Sequence, residues 1–418
     1  MMKRRVVITG LGILAPNGIG KEAYWDAIIN GRSGINRISS FDPSSFTTQI
    51  AGEVENFDPK DYVDSRMVAR CGRFTHFGIA ASRMATADAG IDFSKENKER
   101  CGVCFGTTLG PNNDVYETQH RKFISSGPLS VGRLTPVEIT PHVTTGYICS
   151  DLHIAGPNST LTSGCSTGLD VMGWGHKMIQ QGKIDVAVIG CADTPIFPFI
   201  LSALCNLGIL SRSNKEPEKA SRPYDKRRDG MVLSEGGVSI VLEELHHALD
   251  RGADIYAEVL SFASTCDAQD IVNADTGGQA LISAMEEVLV SGRVGKEEID
   301  YICAHGNSMP SYDIAETNAF KAFFGERSYR IPVSSIKSMT GQSFAAGGGF
   351  QVVATSLSLK NGFVPPTINL DEPDPLCDLD YVPHEARRFS METALINSHS
   401  VGNTHAALVL RRFSGEGR

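Results

Sequence analysis

The sequence predicts a layered α/β protein made of two similar βαβ-rich halves, and three observations carry that prediction. Strand-like apolar runs alternate with helix-length segments along the 418 residues. The order of these segments in residues 1–252 recurs in residues 253–418. In each half one strand runs into a sharp, glycine-containing turn and a long helix: TLTSGCSTG in the first, SIKSMTGQSFAAGGG in the second.

The first half opens with a strand over 5–9. Its basic start and apolar run resemble a leader peptide, but Gly10, Gly12, Pro16 and Gly18 interrupt it. A helix is expected over 21–30, an irregular polar stretch to Asp64, and a long helix over 73–89 whose broad apolar and alanine face calls for burial on several sides. A strand over 102–106 runs into FGTTLG, and residues 112–136 read as a surface excursion. Next come a strand over 159–162, the turn bearing Cys165, a helix over 169–179 and a strand over 186–189. The loop 211–230 and a strand over 237–242 complete this half.

The second half repeats the series. A helix over 278–290 precedes a strand over 299–304 that enters AHGNSM, where the first half has FGTTLG. A strand over 331–334 enters the second glycine-rich turn and a helix to Lys360. Strands over 393–398 and 406–410 finish the chain.

Composition fits a globular protein, with 41% apolar and 21% charged residues. No apolar run approaches the roughly 20 residues that span a bilayer, and a cytoplasmic protein is expected. The net charge of −9 argues against general nucleic-acid binding. Ten cysteines follow no disulfide framework and read as reduced thiols; Cys101 and Cys104 form a single CxxC inside a strand, without the second pair that a zinc site needs. No metal site is expected.

Cys165 is the candidate nucleophile. A thiolate is the reactive form, and the dipole and unpaired N–H groups at a helix start favour an anion. The same N–H groups suit the oxyanion of a thioester under attack. A buried cysteine is commonly only a small hydrophobe, so the second candidate matters: His305 ends an apolar strand, where sheet-borne reactive side chains emerge.

RRVVITGLGILAPNG, SGCSTGLD, RPYDKRRDGMVLSEGGVSIVLEE, AHGNSMPSYDIAE, VSSIKSMTGQ and VPPTINLDEPDPLCDLDYVPHEAR, in that order and spacing, resemble the β-ketoacyl-acyl-carrier-protein synthases of fatty-acid and type II polyketide synthesis. The resemblance implies a thiolase-like fold with a layered α-β-α-β-α core. It also implies decarboxylative Claisen condensation of an acyl chain on Cys165 with malonyl-acyl carrier protein. His305 then matches the first catalytic histidine, Lys337 the lysine of KSMTG, and Asp313 and Glu316 the acidic positions after the histidine. The family binds no cofactor of its own; phosphopantetheine arrives on the acyl carrier protein. A homodimer, or a heterodimer with a second ketosynthase-like subunit, is implied.

Three departures gather on the implied site. Gln342 stands where a second histidine is usual; an amide cannot titrate but donates two hydrogen bonds. Asn307, Ser308 and Met309 replace the family's pantetheine-binding threonines, leaving Asn307 and Met309 as candidate contacts. The turn NSHSVGNTH puts His399 and Val401 in place of two phenylalanines, with Ser400 between them; its backbone N–H groups remain available for an oxyanion hole and its side chains for gating. The retained cysteine argues against a purely structural partner, and an elongating synthase is the leading reading. An acyl-loading subunit, or a chain-length-setting partner in a ketosynthase heterodimer, is the alternative. Arg66, Arg70 and Arg73, at helical spacing, are the candidate docking site for an acidic carrier protein. His246, His247, His399 and His405 otherwise read as surface or structural histidines.

Overall fold

The computed structural model describes residues 4–112 and 114–415. Its main sheet has ten long-path strands: β1 Val6–Ala15, β2 Cys101–Gly106, β3 Asn158–Leu161, β4 Val186–Asp193, β5 Gly236–Glu244, β6 Ala257–Cys266, β7 Tyr301–Cys303, β8 Val333–Ser334, β9 Thr393–His399 and β10 Thr404–Arg412. A two-residue strand, Gly18–Ile19, folds back on β1. The spatial order is β8-β7-β9-β10-β6-β1-β5-β4-β2-β3. Read from either edge to the middle, each half therefore runs third, second, fourth, fifth, first. The duplication extends to direction. β2 pairs in parallel with β3 and β4, as β7 does with β8 and β9, and the remaining pairs in each half are antiparallel. The halves meet at β1 and β6, in register only at Val6↔Val259, Val7↔Glu258 and Ile8↔Ala257.

Two helices, Thr167–Gln180 and Ala345–Asn361, pack on one another between the halves. Ala345–Asn361 is buried along all of its length to Leu359, because apolar side chains of both sheet halves surround it. Ile8, Leu169, Ile189, Val353, Ile396 and Leu408 share one core. Helix Arg73–Ala89 covers the outer face of the first half, and Gln279–Gly292 that of the second. This is the layered α-β-α-β-α arrangement the sequence predicts.

Two elements differ from expectation. β1 continues through Gly10 and Gly12 to Ala15, since these glycines serve close approach and do not end the strand: a Cβ on Gly10 would lie 2.1 Å from the Ala85 carbonyl of the covering helix. The excursion after β2 contains a helix, Asp114–Ser126; Asn113 lies outside the described residues. Among the described residues no helix is long and apolar enough to cross a membrane.

Candidate active site

The first central helix positions the candidate nucleophile. β3 ends at Leu161, Gly164 turns the chain at φ 68°, and Cys165 lies just before the helix. The turn is tied locally: Ser163 N–H donates to Thr167 Oγ1 (2.8 Å), whose hydroxyl donates to the Gly164 carbonyl (2.7 Å). Only 7% of Cys165 is exposed, and it joins an apolar cluster with Ile196, Leu210, Met309, Tyr312 and Phe344. Burial opposes the helix-start preference for an anion. It pushes the thiol up to about 11, and the Gln342 amide, the Lys337 charge and the Val401 N–H only partly offset this.

His305 follows β7 and is held from several directions. Its N–H and that of Gly306 donate to Glu316 (2.7 and 3.0 Å), which also accepts from Tyr224 Oη and Asn397 Nδ2. Lys337, 2% exposed, donates to the His305 carbonyl (2.8 Å) and to Gln351 Oε1 (3.2 Å). Burial pulls the Lys337 ammonium down to about 8. Asp313 accepts from Asn307 N–H (3.1 Å) and Tyr224 N–H (3.0 Å), pairs with Arg228 at 3.2 Å, and is pushed up to about 7 by burial. Asp313 and Glu316 lie in helix Pro310–Phe324 and hold the histidine loop.

The proton on His305 can be located by its partners. Backbone N–H can only donate, and that of His399 points at His305 Nδ1 (3.2 Å). Burial drives the imidazole well below its ordinary value, so it is neutral. Its hydrogen therefore sits on Nε2, which is buried with no hydrogen-bond partner among the described residues. Gln342 is in the same condition: both amide atoms are buried without a partner of standard geometry, yet the amide lies close enough to Cys165 to favour its thiolate. The Gln342 backbone is fixed, with N–H to the Val232 carbonyl (2.8 Å) and carbonyl from Ser234 N–H (3.0 Å).

The turn after β9 closes the site. Ser398 Oγ donates to the Cys165 carbonyl (3.0 Å), and Ser400 Oγ donates to the Ser163 carbonyl (2.7 Å) while accepting Ser166 N–H (2.9 Å). His399 and His405 are buried, which selects the structural of the two readings. His399 is sandwiched between Tyr312 and His405, at ring-centroid distances of 4.2 and 4.1 Å. Val401 is the outermost, 37% exposed. Asn307 Oδ1 accepts Met309 N–H within its own loop (3.1 Å), and Met309 packs in the cluster around Cys165.

The three arginines do not share one helix face. Arg66 and Arg70 belong to Ser65–Arg70 and Arg73 begins Arg73–Ala89. Arg70 is engaged by Glu138 (3.0 Å) and Tyr147, and Arg73 by Glu235 (2.7 Å) and the Val54 carbonyl (2.8 Å); Arg66 is exposed. Sequence reading missed Ser398, Tyr312, Asn397 and Gln351. Gln351 alone carried a signal, as a lone amide in the apolar run AAGGGFQVVA, and its Nε2 gathers the carbonyls of Cys303, Ala304 and Asn397 (3.0, 2.9 and 3.1 Å).

Comparison with known proteins agrees with this architecture. The model of the Beta-ketoacyl synthase N-terminal domain matches residues 3–248, and that of the C-terminal domain residues 256–371. The chain is 38% identical over 412 residues to 3-oxoacyl-acyl-carrier-protein synthase 2 of Coxiella burnetii, covering 99% of both. It is also 38% identical over 416 residues to the tetracenomycin polyketide synthase ketoacyl synthase alpha subunit of Streptomyces glaucescens, covering 98% of this chain and 97% of that one. Two solved structures superpose with a TM-score of 0.92 at 30% identity, covering 99% of this chain and 100% of each. One is a type II polyketide acyl carrier protein in complex with its ketosynthase bound to the hexaketide, the other the ishigamide ketosynthase/chain length factor. The fold is thiolase-like, and the chain belongs to the β-ketoacyl synthase family.

Proposed function

We propose that this chain is an elongating ketosynthase of a type II polyketide or fatty-acid pathway, condensing an acyl chain on Cys165 with malonyl-acyl carrier protein. The observation that carries the reading is a pair of buried, unpartnered donors, His305 Nε2–H and the Gln342 amide, the second of which lies beside the Cys165 thiol. A donor left without a partner costs free energy unless a substrate atom completes it.

In the first step the Cys165 sulfur attacks the carrier thioester, the carrier thiol leaves with the cysteine's proton, and Val401 N–H faces the transient oxyanion. In the second, malonyl thioester loses CO2, and His305 Nε2–H and Gln342 Nε2–H2 receive the enolate oxygen. The enolate carbon then attacks the acyl-cysteine, and the released thiolate takes a proton from solvent. Phosphopantetheine on the carrier presents both acyl groups, and the enzyme contributes no cofactor. The acyl chain lies along the apolar cluster of Ile196, Leu210 and Phe344. Beyond it, a groove of about 540 Å³ opens between Leu109, Tyr116 and Phe197–Ile200, where a second subunit would close it. Of the three arginines, Arg66 has the exposed charge for carrier docking.

Intact-mass measurement with acyl and malonyl carrier proteins tests the reading. An acylated chain that extends by one two-carbon unit supports it; no acylation sinks it. Acylation without extension selects the loading subunit, the reading that the non-titrating Gln342 favours.

A further inference from the structure

Behind the catalytic turn, three strand ends bring together two imidazoles, a carboxylate and an amide oxygen. His405 Nε2 lies 2.9 Å from Asp267 Oδ1, and His399 Nε2 lies 3.0 Å from Asn403 Oδ1. Donor atoms of Asp267, His399 and His405 all fall within 4.8 Å of one another. The Asp267 and His405 side chains are 2% and 3% exposed. Asn403 is oriented by its own amide nitrogen, which donates to the Asp270 and Asn273 carbonyls (2.5 and 2.8 Å), leaving Oδ1 for His399.

Such a set is expensive to bury. Two neutral imidazoles with two oxygens suit a borderline divalent cation. In a tetrahedral zinc shell with bonds of ~2.0–2.1 Å, adjacent ligand atoms stand about 3.3 Å apart. Two of the present contacts, 2.9 and 3.0 Å, are already near that length.

We propose that Asp267, His399, His405 and Asn403 form a binding site for a divalent transition cation such as Zn2+, joining the end of β6 to the turn that carries Val401. The cation would hold the His399 backbone, and with it the N–H that fixes the His305 tautomer. The sequence gives no sign of it, because the four ligands follow no metal-binding spacing and Asp267 is over 130 residues from the others.

The test uses chelator-treated full-length protein and Co2+, with Zn2+ uptake measured by elemental analysis. We expect one cation per chain and the visible bands of four-coordinate cobalt without thiolate charge transfer. His405→Gln and Asp267→Asn should each weaken binding by about 100-fold. No uptake overturns the proposal, since it would leave each imidazole merely hydrogen-bonded through Nε2–H. Uptake unaltered in both variants also overturns it, as does a thiolate band lost in Cys266→Ser, the exposed neighbouring thiol. The cobalt spectrum of the unaltered protein stands whether or not a variant folds.

Discussion

The two central helices start at matching places in the duplicated fold, yet their leading turns do different work. Each turn has a glycine at φ 68°, Gly164 in the first and Gly341 in the second, followed by the side chain offered to the substrate. The first offers a nucleophile and is closed by hydroxyls: Thr167 beneath it, Ser398 and Ser400 from across the site. The second offers an amide and is closed by a buried carboxyl group. Ala345 N–H, at the start of its helix, donates to the buried Asp193 carboxylate (2.9 Å), which also holds Thr107 Oγ1 (2.8 Å) and Leu109 N–H (2.9 Å). One repeated geometry thus carries the proposed nucleophile in the first half and the proposed hydrogen-bond donor in the second.

The comparison is broken most completely at the first turn. Cys165→Ala should abolish acylation altogether, read as the absence of any mass increase with acyl carrier protein. Removing the imidazole comes next. His305→Ala should leave acylation intact and slow CO2 release from malonyl carrier protein by about 1000-fold; equal loss of both steps would place His305 in acylation instead. At the second turn, Gln342→Ala should cost about 100-fold in condensation with acylation spared. Gln342→His tests whether an amide is needed: restored or increased turnover would mean that only a donor is required there.

The thiol sharpens the contrast through pH. Because its value is raised to about 11, its thiolate fraction grows about tenfold per pH unit up to that point. Alkylation of Cys165, followed by peptide mass, should still be accelerating at pH 10, whereas an unperturbed thiol at about 8.5 would have levelled off. The smallest effect concerns the support of the second turn. Asp193→Asn should lower stability by about 2 kcal/mol in urea unfolding, since it weakens several hydrogen bonds to one buried charge. No change would mean that the loop and helix start hold without it.

Much of this site could be read along the chain, for a physical reason. Cys165, His305 and Gln342 sit where strands give way to turns, and strand–turn–helix punctuation is local. The duplication was legible too, because the apolar periodicity that builds a strand does not depend on its partner. The supports were not. Ser400 meets Ser163 across 237 positions, and nothing near a serine in NSHSVGNTH marks its partner. The Tyr312–His399–His405 stack likewise draws on three separate elements. The balance of electrostatics was not legible either: the helix start favours an anion, but burial against an apolar cluster drawn from distant segments raises the thiol. The arginine stripe failed because Cys71 and Gly72 separate two helices that spacing alone joins into one.

The Ser400 hydroxyl bears on how a visitor enters. It is at once the acceptor for Ser166 N–H and the donor to the Ser163 carbonyl, so it bolts the outer turn to the residues on both sides of the thiol. Swinging that turn aside by even one ångström strips two backbone groups of their partner. Any displacement of the outer turn is therefore felt at once by the backbone on both sides of the thiol.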